Sequence, residues 1–212
     1  MSRKLMAVLV AAGAMAVAGC ASTSFNTTWK APGAGPLEIK TGDKVLAMVI
    51  SPNESTRRGA EAALVSELDR RGLSGIPAYQ VIPHDAVQDQ KKAQPYIDKS
   101  GARWAVVMRA TGKDQELSGS TGMGMYGPGW GGYGGFYGGF WGYGWGGAYS
   151  PGYLQTDTIV HVETLFYDLK TDKLVWAGQS STMNPSKAES MIKELVDESG
   201  KQMRKEGLIP AK

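Results

Sequence analysis

Residues 44–50 read Lys-Val-Leu-Ala-Met-Val-Ile and are followed at once by Ser-Pro-Asn-Glu at residues 51–54. An uninterrupted apolar run that contains β-branched residues is typical of a strand buried on both faces of a sheet. Serine at the N-cap, proline at the first helical position and glutamate three residues after the serine predict the start of a helix. A buried strand that leads directly into a helix is the first unit of a β-α-β sheet.

The segments after this unit predict a mixed sheet. Apolar runs over 78–82 and 103–109 are expected to form strands, separated by a polar and largely helical stretch over 84–99. Alternating apolar residues over 158–167 predict a further strand, and Asp-Leu-Lys-Thr-Asp predicts a hairpin turn into a return strand over 174–178. Strands that alternate with helices favour parallel pairing through right-handed crossovers, whereas the hairpin adds antiparallel strands.

A last helix completes the pattern. Ser186 and Glu189 form a second capping box, and one stripe of the following helix carries Ala188, Met191, Ile192, Leu195, Val196 and Met203. We therefore predict an α/β (α+β) fold in the order βαβαβ, glycine-rich insertion, ββα, with a mixed sheet and helices packed on it. Residues 45–212 are expected to form this single domain, with the insertion at 118–153.

The N-terminus has the features of an export signal. Arg3 and Lys4 precede an uncharged apolar run from Leu5 to Ala18, which is shorter than the roughly 20 residues that cross a bilayer as a helix. Residues 17–20 read Val-Ala-Gly-Cys, and Cys20 is the single cysteine of the chain, so it can form no intrachain disulfide. This segment resembles the lipobox of bacterial lipoproteins, which implies cleavage before Cys20 and attachment of lipid to its thiolate.

The export signal divides the chain. We expect a signal peptide at 1–19 and a lipidated N-terminus and tether at 20–44, where the prolines and glycines of 32–36 oppose regular structure. Because Ala21 and Ser22, rather than an aspartate, follow the cysteine, the resemblance to Gram-negative lipoproteins implies the outer membrane, facing the periplasm. Loss of the two basic residues of the signal takes the formal charge from +3 to +1, which gives no reason to expect nucleic acid binding.

A glycine-rich and aromatic segment interrupts the domain. Residues 118–155 contain no Asp, Glu, Lys or Arg. Ordering such a segment costs about 1–2 kcal/mol per residue, so disorder or a loose aromatic cluster is the first expectation. The alternatives are contact with cell-wall glycan, a membrane interface or another envelope protein, or self-association. The candidate interaction residues are Trp130, Tyr133, Phe136, Tyr137, Phe140, Trp141, Tyr143 and Trp145.

Few residues suggest catalysis or metal binding. His84 and His161 are the two histidines, and His161 lies near Glu163 on one face of a strand, but a metal site normally needs three or four ligands. We expect no metal, cofactor or enzymatic activity, and a solvated strand face at His161 and Glu163. Arg57 and Arg58 lie early in the first helix and are expected to be solvated, with anion binding as the alternative.

Three stretches carry a resemblance to known proteins: Thr-Trp-Lys-Ala-Pro at 28–32, Arg57 and Arg58 with Glu61, and Leu-Val-Trp-Ala-Gly at 174–178. Together with the order of the predicted elements, they resemble a group of small Gram-negative lipoproteins of unknown function. The resemblance covers most of the chain after the cysteine. It implies an α/β sandwich-like domain and a periplasmic address, and it implies no activity.

The function predicted from the sequence is that of a lipid-anchored periplasmic envelope lipoprotein, a non-enzymatic binding or scaffolding module held at the membrane by its N-terminal lipid. Two alternatives stay open. One is a small-ligand-binding or enzymatic domain with a site at the strand ends near His84 and Arg57. The other is an accessory subunit of an outer-membrane assembly.

Overall fold

The computed structural model describes residues 22–115, 137, 158–185 and 187–211. Within these residues six strands form one mixed sheet and four helices accompany it, which confirms the predicted α/β (α+β) class. The strands are β1 Ser22–Lys30, β2 Lys44–Ile50, β3 Ser74–Pro77, β4 Trp104–Gln115, β5 Thr158–Asp168 and β6 Lys173–Met183. The helices are α1 Glu54–Asp69, α2 Ala78–Val81, α3 Gln90–Ser100 and α4 Ala188–Lys205.

The strand order across the sheet is β1-β6-β5-β4-β2-β3. β2 pairs in parallel with β3 on one side and β4 on the other, as expected for strands joined through helices. β4, β5, β6 and β1 pair antiparallel, and β5 and β6 form the predicted hairpin. The sheet therefore has a parallel half built by helical crossovers and an antiparallel half that contains β1 and the hairpin.

Side chains of β2 alternate between two apolar layers, one on each face of the sheet. On one face, α1 and α4 pack through Leu64 and Leu195 against Trp176 and its neighbours. On the other face, α2 and α3 pack through residues such as Ile97 against Leu46 and Tyr167. Because both faces are covered, β2 is buried on both sides, as its continuous apolar sequence predicts.

The N-terminal part of the expected tether is a strand. β1 pairs antiparallel with β6 along its length, and the Phe25 ring packs edge-on against Trp176 with ring centroids 5.5 Å apart. Two threonine hydroxyls of β1 also donate to glutamates of α4 and its C-cap. The prediction of a flexible tether over 20–44 is therefore wrong over the length of β1, because these polar residues gain a ladder and an aromatic contact.

The predicted strand at 78–82 is also misplaced. The strand is β3, which ends at Pro77, and the next residues form the single turn of α2. The backbone N–H of Tyr79 donates to the buried carboxylate of Glu61 at 2.7 Å instead of to a neighbouring strand. A side chain from another element thus ends the ladder, and no local pattern in residues 78–82 indicates it.

Helix starts differ from the expected ones by a few residues. α1 begins at Glu54 with Asn53 as N-cap, whose side chain accepts from the backbone N–H of Thr56. α3 begins at Gln90 with Asp89 as N-cap, so the predicted helical stretch over 84–99 is wrong before that point. α4 begins at Ala188 as the sequence indicates, although Ser186, its expected cap, lies outside the described residues.

Candidate functional site

A cavity of about 510 Å³ lies between α1, α4 and the sheet, on the face that these two helices cover. Its walls are mainly apolar, and they include Leu64, Leu68, Val106, Phe166, Val196 and Met203. The size falls within the range of about 300–1,000 Å³ that is usual for pockets that bind small molecules. Unfilled space is therefore left in the apolar layer between the sheet and the helices α1 and α4.

The sequence of α4 explains why the space is open. Leu195, Val196 and Met203 belong to the buried stripe of the helix, and Ser199 occupies the position between them at helical spacing. Gly200 follows and also lines the cavity. A small polar residue and a glycine at the point where α4 faces the sheet remove the side-chain volume that would fill it. The apolar periodicity of the sequence predicts the buried stripe of α4, but it does not indicate that Ser199 belongs to that stripe.

Three polar side-chain atoms in the cavity wall are buried and have no hydrogen-bond partner among the described residues. They are Thr164 Oγ1, Trp176 Nε1 and Ser199 Oγ. Leaving such a group unpaired costs about 1–3 kcal/mol, so native proteins normally provide a partner for it. Trp176 Nε1 can only donate, whereas the two hydroxyls can donate or accept. These atoms are almost completely enclosed by their neighbours, so they are unpaired groups within the wall and are not presented to the cavity space.

Charged residues line the cavity at its outer part. Arg71 spans from α1 to α4, because its guanidinium contacts Glu67 on its own helix and Asp197 on the other. Arg70 pairs with Glu67 at 3.1 Å. Arg204 also lines the cavity, and no ion pair of its guanidinium is found in the part of the chain that the structure describes. The cavity thus combines an apolar interior with a guanidinium that has no carboxylate partner in that part.

A second cluster of charges lies at the other end of α1. Glu61 is fully buried and its carboxylate accepts from the backbone N–H groups of Val49 and Tyr79 and from the Arg57 guanidinium. Arg57 is 2% exposed and also donates two hydrogen bonds to Glu54. The prediction that Arg57 is a solvated charge is wrong, because both carboxylates enclose it.

The cluster has opposite effects on its two carboxyl groups. Burial raises the pKa of Glu61 to about 7, against the opposing hydrogen bonds from Tyr79, Arg57 and Val49. The hydrogen bonds from Arg57 and then Arg58 lower the pKa of Glu54 to about 2. These contacts join α1 to β2 and α2, so they account for Arg57, Arg58 and Glu61 as structural residues.

The expected site near His84 and Arg57 is not formed as a pocket of free groups. The guanidinium of Arg57 is used internally, and His84 Nδ1 lies 3.8 Å from Glu54 Oε2 on an exposed side chain. At the other candidate pair, Glu163 is buried and accepts from Arg109 Nε at 2.6 Å. The expected solvated face is therefore wrong at Glu163.

His161 does not join a group of ligands in the described fold. Its Nδ1 lies 2.9 Å from Ser181 Oγ. In the described ranges of the chain, no three or more side chains of histidine, cysteine, aspartate or glutamate come together as a metal site would require. Nor does any helix within those ranges combine the length and apolarity needed to cross a bilayer.

The structure locates one of the candidate interaction residues, Tyr137. Its ring is in the apolar layer under α2 and α3, its backbone N–H donates to Asp172 Oδ1, and its hydroxyl donates to Asp98 Oδ1 at 2.9 Å. Tyr137 is thus a buried contact within the domain and not an exposed binding residue. The proposed lipidation site, Cys20, lies outside the described residues, and so do the other interaction candidates: Trp130, Tyr133, Phe136, Phe140, Trp141, Tyr143 and Trp145.

Comparison with solved structures gives distant matches to a PelC dodecamer from Paraburkholderia phytofirmans. One match, to a variant of that protein, has 12% identity and a TM-score of 0.43 over 82% of this chain and 90% of that chain. A second, in another crystal form, has 12% identity and a TM-score of 0.42 over 81% and 94%. At these values the similarity carries no information on function.

Curated protein sequences give no match to this chain. The sequence model of a domain of unknown function, DUF4136, matches residues 43–202. This range extends from just before β2 to near the end of α4, and it includes both the Glu61 cluster and most of the cavity wall. The chain therefore belongs to the DUF4136 family.

Proposed function

We propose that this protein is a lipid-anchored, non-enzymatic binding module of the cell envelope, and that its domain binds an apolar ligand in the cavity between α1, α4 and the sheet. The observation that carries the proposal is the cavity itself. Mainly apolar walls with a few polar residues are the usual composition of a small-molecule pocket. A tightly filled core would have excluded this reading, and the described core is not filled at Ser199.

Binding in the cavity predicts a specific response to filling it. Ser199→Leu should occupy the space without breaking a hydrogen bond, because the Ser199 hydroxyl has no partner among the described residues. Ser55→Leu makes the same change on the exposed surface of α1 and serves as the matched control. A neutral naphthylamine fluorophore, which brightens in apolar surroundings, should bind the wild type and Ser55→Leu but not Ser199→Leu.

Stability measurements on the same variants separate loss of binding from loss of folding. Ser199→Leu buries apolar volume and removes an unpaired hydroxyl, so its unfolding free energy should be unchanged or raised. Equal fluorophore binding by the wild type and Ser199→Leu, with both proteins folded, would contradict the cavity as the binding site. No binding by the wild type would contradict the binding function.

The proposed lipid anchor and outer-membrane localisation rest on the segment that ends at Cys20. Cells grown with labelled palmitate should incorporate the label into the wild type and not into Cys20→Ser. Density fractionation should place the wild type in the outer membrane, facing the periplasm, whereas Ala21→Asp should shift it toward the inner membrane. Labelled Cys20→Ser would exclude lipidation at that cysteine.

A second candidate role concerns the glycine-rich insertion at 118–153 as a contact with another envelope protein, with cell-wall glycan or with further copies of the chain. The observation in its favour is the charge-free aromatic sequence around Tyr137, which is itself fixed to the domain. A photoreactive residue at Trp141 should crosslink a partner in living cells, and the same residue at the exposed Tyr96 is the control. Crosslinks from Tyr96 alone would remove the insertion from this role.

A further inference from the structure

We infer that the ligand of the cavity is a single-chain amphipathic anion, with its apolar chain between α1, α4 and the sheet and its anionic head at Arg204. The inference rests on the proposed binding function and adds the chemical class of the ligand. It is carried by the division of the cavity into an apolar interior and a charged outer part.

The interior fits an alkyl chain better than a flat polar molecule. Most of the lining residues are apolar, and Leu64, Val106 and Phe166 are among them. Each buried methylene of a ligand contributes favourable transfer free energy on such a surface.

The volume limits the number of chains. At about 510 Å³ the cavity lies in the lower half of the range of about 300–1,000 Å³ that is usual for pockets that bind a drug-sized ligand. A volume of this size accommodates one medium-length acyl chain. A lipid with two long chains would leave one of them outside, so the occupant that the cavity accommodates is a single chain.

The charges of the outer part select an anion. Three guanidinium groups, those of Arg70, Arg71 and Arg204, line this region of the cavity. Two carboxylates, Glu67 and Asp197, pair with the first two of them. Among the described residues this leaves Arg204 as the uncompensated charge, and a guanidinium is well suited to bind a carboxylate or phosphate head in two parallel hydrogen bonds.

The test compares three amphiphiles with the same chain, each below its micelle concentration: laurate, dodecanol and dodecyltrimethylammonium. Titration calorimetry on the full chain with Cys20→Ser avoids detergent and leaves the domain intact. Laurate should bind about ten- to hundredfold more tightly than the cationic amphiphile, because a hydrogen bond to a charged group contributes that much. Arg204→Gln should weaken the binding of laurate and leave the binding of dodecanol unchanged. Arg58→Gln, on an exposed arginine outside the cavity, is the matched control.

Each result decides one question. Equal binding of all three amphiphiles, or no effect of Arg204→Gln on laurate, overturns the anionic class and leaves the cavity as a general apolar site. Laurate binding that survives in Ser199→Leu places the site elsewhere and overturns the inference. If the wild type binds none of the three amphiphiles and does not bind the neutral fluorophore, both this inference and the proposed function are overturned. Loss of laurate in Ser199→Leu, together with selective weakening in Arg204→Gln, supports both.

Discussion

Replacing Glu61 by glutamine should remove a pH dependence from the stability of the domain. The Glu61 carboxylate is fully buried between α1, β2 and α2, where it accepts from two backbone N–H groups and from Arg57. Glutamine cannot ionise, and its one side-chain carbonyl can replace only one of the two carboxylate oxygens, so it keeps an acceptor for either Val49 or Tyr79. The substitution therefore changes the charge of the group while retaining its size and part of its hydrogen bonding.

The magnitude follows from the pKa of Glu61. Burial raises it from 4.5 to about 7, so between these values the folded protein holds a proton that the unfolded chain releases. The contribution to stability is complete below pH 4.5 and is lost as the pH rises through 7. A carboxyl group whose pKa is 4.5 in the unfolded chain and about 7 in the folded protein changes the unfolding free energy by about 3 kcal/mol in total, of which about 2–3 kcal/mol falls between pH 5 and pH 8.

Urea unfolding at several values between pH 5 and pH 8 measures this effect. The difference in unfolding free energy between the wild type and Glu61→Gln should fall by about 2–3 kcal/mol over that range. Glu189→Gln makes the same change on an exposed residue of α4 and is the matched control. Glu54, whose pKa Arg57 and Arg58 lower to about 2, loses its contribution only as the pH falls below 4.5. A wild-type minus Glu61→Gln difference that stays constant would refute the burial argument.

Two further predictions concern packing. A Cβ on Gly178 would lie 2.4 Å from a Phe25 ring atom, so Gly178→Ala should lower the unfolding free energy by about 1–3 kcal/mol in denaturant titration. Gly59→Ala, in open space on α1, should raise the unfolding free energy by about 1 kcal/mol. If Gly59→Ala lowers it instead, a decrease in Gly178→Ala cannot be assigned to the contact with Phe25. Tyr137→Phe removes the hydrogen bond to Asp98 and should cost about 1 kcal/mol, whereas no change would contradict a fixed Tyr137.

The elements that the sequence predicts well are those whose pattern is local. β2 is a continuous apolar run, β5 and β6 flank a recognisable turn, and α4 has a regular apolar stripe. β1 was missed because its residues are mostly polar, and its stability comes from β6 and from Phe25 against Trp176. The end of β3 was missed because Glu61, on another element, takes the Tyr79 N–H.

The candidate site was less predictable than the fold. A cavity is a property of facing surfaces, and the two small residues that open it, Ser199 and Gly200, are on a helix whose partner surfaces come from β4, β5 and β6. The local signal was a serine within an apolar stripe. Arg57 lies on the buried stripe of α1, three residues before Ala60 and seven before Leu64, so helical spacing indicates burial although its residue type predicts solvation. Its partners Glu54 and Glu61 come from the same helix and satisfy the guanidinium there.

The position of β1 changes the geometry that a lipid on Cys20 would impose. Only Ala21 separates Cys20 from Ser22, so the proposed anchor is within about 7 Å of chain from the sheet. Ser22 of β1 pairs with Met183 of β6, which pairs with the start of β5, and the start of β5 pairs with the end of β4. In the sequence, the insertion follows the end of β4 and precedes the start of β5. Tyr137 instead contacts Asp172 in the turn at the opposite end. The described residues that flank the insertion therefore lie in one row with Ser22, whereas Tyr137 lies at the opposite end of the sheet. Any partner surface built on the insertion must be compatible with that constraint.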